Sequence, residues 1–133
     1  MTETYDIENP IYLGYEDMVG SIGEIVQEIS LGTSEGDLLF LIRGKENKKW
    51  GYVGVGYGSC AGCDAYQSCS SNEELKSVRD DIENNTRWFD NSKEAMDFFG
   101  NHDWKGDYFG RDPDLPKFIQ RCQDAILATI HPN

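Results

Sequence analysis

Hydrophobic and polar positions along the 133-residue chain change their period from region to region. Asp37-Leu38-Leu39-Phe40-Leu41-Ile42-Arg43 is a compact apolar run that passes into the polar stretch Gly44-Lys45-Glu46-Asn47-Lys48-Lys49, the pattern of a strand entering a turn. Trp50-Gly51-Tyr52-Val53-Gly54-Val55-Gly56-Tyr57 then alternates and predicts the returning strand. Upstream, apolar residues are placed too irregularly for a long helix, and Gly20, Gly23 and Gly32 punctuate them. Ile25, Val26, Ile29 and Leu31 predict a strand over 24–31, although Ile22, Ile25 and Ile29 also match helical spacing. Residues 24–57 therefore read as a three-stranded antiparallel meander.

Beyond residue 69 the period lengthens. Ser70 with Glu73 and Ser71 with Glu74 have capping-box spacing, and Leu75, Val78 and Ile82, extended to Trp88 or Phe89, form the stripe of a helix. A shorter helix is predicted from Asn91 or Ser92, with Glu94 completing the box, Ala95, Met96 and Phe99 facing inward, and Gly100 as its stop. The stretch HDWKGDYFGRDPD reads as a loop. A final helix starts near Leu115 with Pro116 in its first turn, and Leu115, Phe118, Ile119, Cys122, Ile126 and Ile130 recur at spacings of three and four. This stripe is expected to cover one side of the sheet. The fold class is thus α+β, a small antiparallel sheet of about three strands against about three helices, in a single domain over 1–133.

Charge adds a second layer. The net charge is -12, and residues 1–42 carry Glu3, Asp6, Glu8, Glu16, Asp17, Glu24, Glu28, Glu35 and Asp37 with no Lys or Arg. Such a field repels nucleic acid and anionic membranes and speeds encounter with a basic protein surface. No stretch is apolar enough to cross a bilayer, and MTETYDIENP has no signal-peptide pattern, so the cytoplasm is the expected compartment. Gly54, Gly56 and Gly58 recur with period two, which puts them on one strand face and predicts close approach of a helix or an aromatic ring. Their spacing fits neither GxGxxG nor GxxxxGK[ST].

Three of four cysteines fall within ten residues, in GSCAGCDAYQSC. Three readings compete. Zinc would take Cys60 and Cys63 as half a knuckle, with Cys69 and Cys122 or a histidine completing a tetrahedron. Redox chemistry would use Cys60-Ala61-Gly62-Cys63 as a C-x-x-C pair. The structural reading buries the thiols, places Cys122 on the last helix's apolar stripe, lets Ser59 cap a short turn, and has Asp64 accept backbone amides. The run WGYVGVGYGSCAGCD, from Trp50 to Asp64, resembles small proteins of bacteriophages and their hosts that share a strand followed by GSCxGCD. The resemblance implies a phage-type protein whose signature turn is Gly58, Ser59, Cys60, Gly62, Cys63 and Asp64. It carries no activity with it.

Other chemistry is thin. His102 beside Asp103 lies in a polar loop, and His131 is almost terminal. Trp104, Tyr108 and Phe109, interleaved with charges, make either an aromatic contact surface or pins that hold the loop to the core. The leading expectation is a non-enzymatic acidic module without cofactor that binds a basic host or defence protein. Its concrete form is a phage-encoded inhibitor that presents carboxylates in place of phosphates. The rivals are a small thiol- or zinc-dependent protein using Cys60 and Cys63, and an acidic structural or accessory protein.

Overall fold

The structure, a computed structural model, describes residues 9–32, 36–58, 64–106 and 110–130. Its elements run α1 (Tyr15–Ile22), β1 (Gly23–Gly32), β2 (Gly36–Gly44), β3 (Trp50–Tyr57), α2 (Asn72–Asn84), β4 (Arg87–Phe89), α3 (Ser92–Asn101), a 3₁₀ turn at Trp104–Gly106, and α4 (Leu115–Ile130). The strands form one antiparallel sheet in the order β1-β2-β3-β4. The fold is α+β, as the sequence predicts, with a short helix before the meander and a short fourth strand after α2.

Both faces of the sheet are covered. Alternation along β2 sends Phe40 and Ile42 to one side and Leu39 and Leu41 to the other, and all four are fully buried. On the first side they meet Met18, Val19 and Ile22 of α1 and Leu75 and Ile82 of α2. On the second they meet Trp50 and Phe89 of the sheet, Ala95 and Phe99 of α3, and Leu115, Phe118, Cys122 and Ile126 of α4. The stripe of α4 does cover one side, and the opposite side is closed by α1 with α2.

Local chemistry sets the helix ends. Ser71 caps α2 by accepting the Glu74 amide at 3.1 Å, while the Glu74 carboxylate takes the Ser70 amide at 2.6 Å. At α3 the Asn91 side chain accepts the Glu94 amide at 2.8 Å and Glu94 accepts the Asp90 amide at 3.0 Å. Each box satisfies donors that the first helical turn leaves open. Helix α2 ends at Asn84, so Trp88 and Phe89 do not extend its stripe: they lie in β4, in register with Gly51 and Trp50. Arg79 ties α2 to α1, donating to Ser21 Oγ at 2.9 Å while pairing with Asp80 and Glu83.

One irregularity positions the site. The β1–β2 register slips between Ile25 and Gln27, a bulge that adds Val26 to β1. Before the bulge Ile25 packs on the α1 side, and after it Gln27 faces α4, where its side chain accepts from Arg121 at 3.1 Å. Glu24 and Glu28, four residues apart, would share a face of a regular strand. The bulge puts them on opposite faces.

Candidate functional site

A cavity of about 430 Å³ opens where the chain entering α1 crosses β1 and β2, lined by Leu13, Gly14, Tyr15, Glu16, Asp17, Glu28, Ser30 and Leu38. Glu16 and Asp17 come from the first turn of α1, where carboxylates suit the helix dipole, and Asp17 accepts the Leu13 amide at 2.8 Å. Glu28 projects from β1 in register with Phe40. Ser30 Oγ lies 3.1 Å from the Tyr57 hydroxyl and closes the far wall. Among the described residues no Lys or Arg lines this cavity.

The Glu16 and Glu28 carboxyls come together on this cavity, and a proton on one lets it hydrogen-bond the other. That bond first, then partial burial and then the Glu16 charge, push the Glu28 pKa up to about 7. Leu13, the apolar residue at the rim, is 75% exposed. The arrangement is an anionic concavity with an apolar lip.

The other acids of the first 42 residues are distributed differently. Glu24, in register with Arg43, and Asp37 both lie on the α3–α4 face, away from the cavity. Burial raises the Asp37 pKa. The five described acids therefore form no single anionic face, and Glu3, Asp6, Glu8 and Glu35 lie outside the described residues. Sequence reasoning missed Leu13 and Ser30 as partners of the acids. Only the bulge and the crossing of α1 over β1 bring them together.

Asp64 does accept backbone amides, and does so while buried. Its Oδ2 takes the Gly58 amide at 3.0 Å; its Oδ1 takes the Tyr66 and Gln67 amides at 3.0 and 3.2 Å and the Tyr15 hydroxyl at 2.5 Å. Burial alone would raise the Asp64 pKa, but these hydrogen bonds outweigh it and hold the carboxyl below its ordinary range. Burial also raises the Tyr15 pKa, and the bond to Asp64 raises it further. This knot joins α1 to the end of β3.

Ser59, Cys60, Gly62 and Cys63 lie outside the described residues, as do Tyr108, Phe109 and His131. The other two thiols are buried on opposite sides of the sheet, Cys69 with α1 and α2 and Cys122 with α3 and α4, so one ion cannot bridge them. Burial raises the pKa of each. Among the described residues no group of three or more His, Cys, Asp or Glu could hold a metal ion.

Trp104 packs into an aromatic cluster with Tyr52, Phe98, Phe99 and His102, and its indole donates to the Phe99 carbonyl at 3.2 Å. His102 stacks on Phe98 at 4.9 Å. Trp104 thus pins its loop to the core. Among the described residues no helix is long and apolar enough to cross a membrane. Comparison with protein-family models, curated proteins and solved structures finds no match for this chain.

Proposed function

We propose that this chain is a non-enzymatic acidic module that binds a basic protein, with the α1–β1 cavity as the receptor for a lysine or arginine side chain. The observation that supports this reading is the convergence of Glu16, Asp17 and Glu28 on one concavity with no basic lining residue among the described residues, beside exposed Leu13. An ammonium or guanidinium group entering there replaces the shared proton as counter-charge, while its aliphatic stem and neighbours cover the apolar lip. In its sharpest form the module is a phage-encoded inhibitor that covers the nucleic-acid groove of a host or defence protein.

The test is affinity capture of basic nucleic-acid-binding proteins on the wild-type chain and on a Glu16→Gln/Glu28→Gln variant, at low and high salt. Selective, salt-sensitive retention by the wild type alone is the expected result, because charge contacts are screened as ionic strength rises. Equal retention by the variant removes the cavity from the mechanism. A second arm asks whether the captured protein loses its bound DNA or RNA when the module is added.

A further inference from the structure

The sheet has a short gap in its β3 edge. Gly44 donates its amide to the Lys49 carbonyl at 2.8 Å, which fixes the parity of the β2–β3 ladder. Successive residues of an antiparallel strand point their N–H and C=O groups to alternate sides. Gly51, Val53 and Val55 therefore bond to β2, and Trp50, Tyr52, Gly54 and Gly56 point away from it. Trp50 and Tyr52 meet Phe89 and Arg87 of β4. Gly58, next in the same parity, is capped by side chains: its amide goes to Asp64 and its carbonyl accepts from Gln67 Nε2 at 2.8 Å. Between these closed ends, the outward groups of Gly54 and Gly56 have no partner among the described residues, and both glycines are exposed. A groove of about 240 Å³ runs along them, walled by Val78, Asp81 and Ile82 of α2.

We propose that this gap receives a short extended segment of a partner protein by strand addition, antiparallel to β3, with the pattern basic–any–apolar. Two residues of the guest, lying opposite Gly56 and Gly54, would exchange four main-chain hydrogen bonds with them. Their side chains fall on the face where the glycines leave space. The row through Gly56 continues to Asp37, which has no ion pair among the described residues, so a lysine or arginine there reaches across the glycine to that carboxylate. The row through Gly54 continues to Leu39, whose methyl group stands 3.1 Å from where a Cβ on Gly54 would be, so an apolar side chain suits that position.

The length of the gap chooses the guest. A second copy would bring its whole eight-residue β3, which would run into β4 at one end and the 64–67 turn at the other. It would also bring another charge of -12. A short basic segment meets neither obstacle. Cross-strand contact over a glycine is open to long side chains. The inference rests on the reading that the partner is a basic protein, and adds a second contact point to it.

The experiment is an NMR titration of the full ¹⁵N-labelled chain with the capped pentapeptide Thr-Arg-Thr-Val-Thr. Saturable shifts at the Gly54 and Gly56 amides are expected, with hydrogen exchange at both slowed about tenfold when peptide exceeds its dissociation constant about tenfold. N-methylation of the peptide's arginine and valine amides abolishes the shifts, and the reversed sequence weakens them. Gly56→Ala adds a Cβ that meets only ordinary contacts at 3.9 Å and beyond, so the fold tolerates it, and it weakens the arginine peptide by standing in the path to Asp37. Asp37→Asn lowers affinity for the arginine peptide without lowering it for a norleucine version. Binding that survives N-methylation overturns the proposal. So does the absence of any shift. Shifts confined to the Glu16–Glu28 cavity overturn the edge site while leaving the basic-partner reading standing.

Discussion

Asp64 and Glu28 are two carboxylates whose surroundings pull in opposite directions, so they give opposite dependences on pH. Asp64 collects three amides and a phenol, and its pKa falls. The stability it contributes is present above the unfolded value of about 3.9 and is lost as pH falls through the lower folded value. Asp64→Ala leaves those donors buried without an acceptor and is expected to cost about 2–4 kcal/mol. Urea denaturation at neutral pH measures it, and the acid-side loss of stability should flatten in Asp64→Asn. Glu28, with its pKa raised to about 7, behaves in the reverse sense: its favourable contribution is complete below the ordinary value of 4.5 and disappears as pH rises through about 7. Carboxyl-carbon NMR should show Glu28 titrating near neutrality in the wild type and toward the ordinary range in Glu16→Gln. Asp64 was legible as a backbone acceptor from its place in a turn. The Glu16–Glu28 pair was not, because its partners are twelve residues apart and join only through tertiary structure.

At the level of elements, strong local signals were readable and short tertiary ones were not. Ser71 with Glu74 and Asn91 with Glu94 mark two helix starts through local hydrogen bonds, and Leu115 with Pro116 marks a third. Removing either cap, by Ser71→Ala or Asn91→Ala, is expected to cost about 1 kcal/mol, read from thermal unfolding. Tyr15, Met18, Val19 and Ile22 are the buried face of α1 and do follow helical spacing, but the helix has only eight residues between glycines. Strand β4 has three residues, and a period of two has no room to declare itself there. What holds β4 is Gly51. A Cβ at that position would sit 2.8 Å from the Trp88 ring and 3.0 Å from the Thr86 methyl. Gly51→Ala should therefore destabilise the fold by about 1–3 kcal/mol. Amide exchange is expected to rise first at Arg87–Phe89, ahead of β1 and β2. Of the glycines that the alternation singles out, Gly58 is buried, whereas Gly54 and Gly56 are exposed and border the groove beside α2 instead of being covered.

Across the whole molecule, charge sets two responses to salt that have opposite signs. A net charge of -12 on 133 residues repels itself when the chain is compact, and the described ion pairs engage few of the acids. Raising ionic strength from about 0.01 M to about 0.15 M shortens the screening length from about 30 Å to about 8 Å. That change weakens repulsion across the molecule more than it weakens the hydrogen-bonded knot at Asp64. The midpoint of thermal unfolding is therefore expected to rise with added sodium chloride. Association with a basic partner must move the other way, since the attraction that draws the two together is screened by the same ions. Measuring both on one preparation separates them. If affinity falls while the isolated chain becomes more stable, the loss cannot be unfolding, and it belongs to the contact surfaces. Glu16→Gln/Glu28→Gln sharpens the comparison, because it removes the paired carboxylates from the cavity while leaving Asp64 and both cores untouched. This variant is expected to keep the rise in unfolding temperature and to lose much of the salt dependence of binding. A binding slope against salt identical to that of the wild type would show that the charge responsible lies elsewhere on the chain.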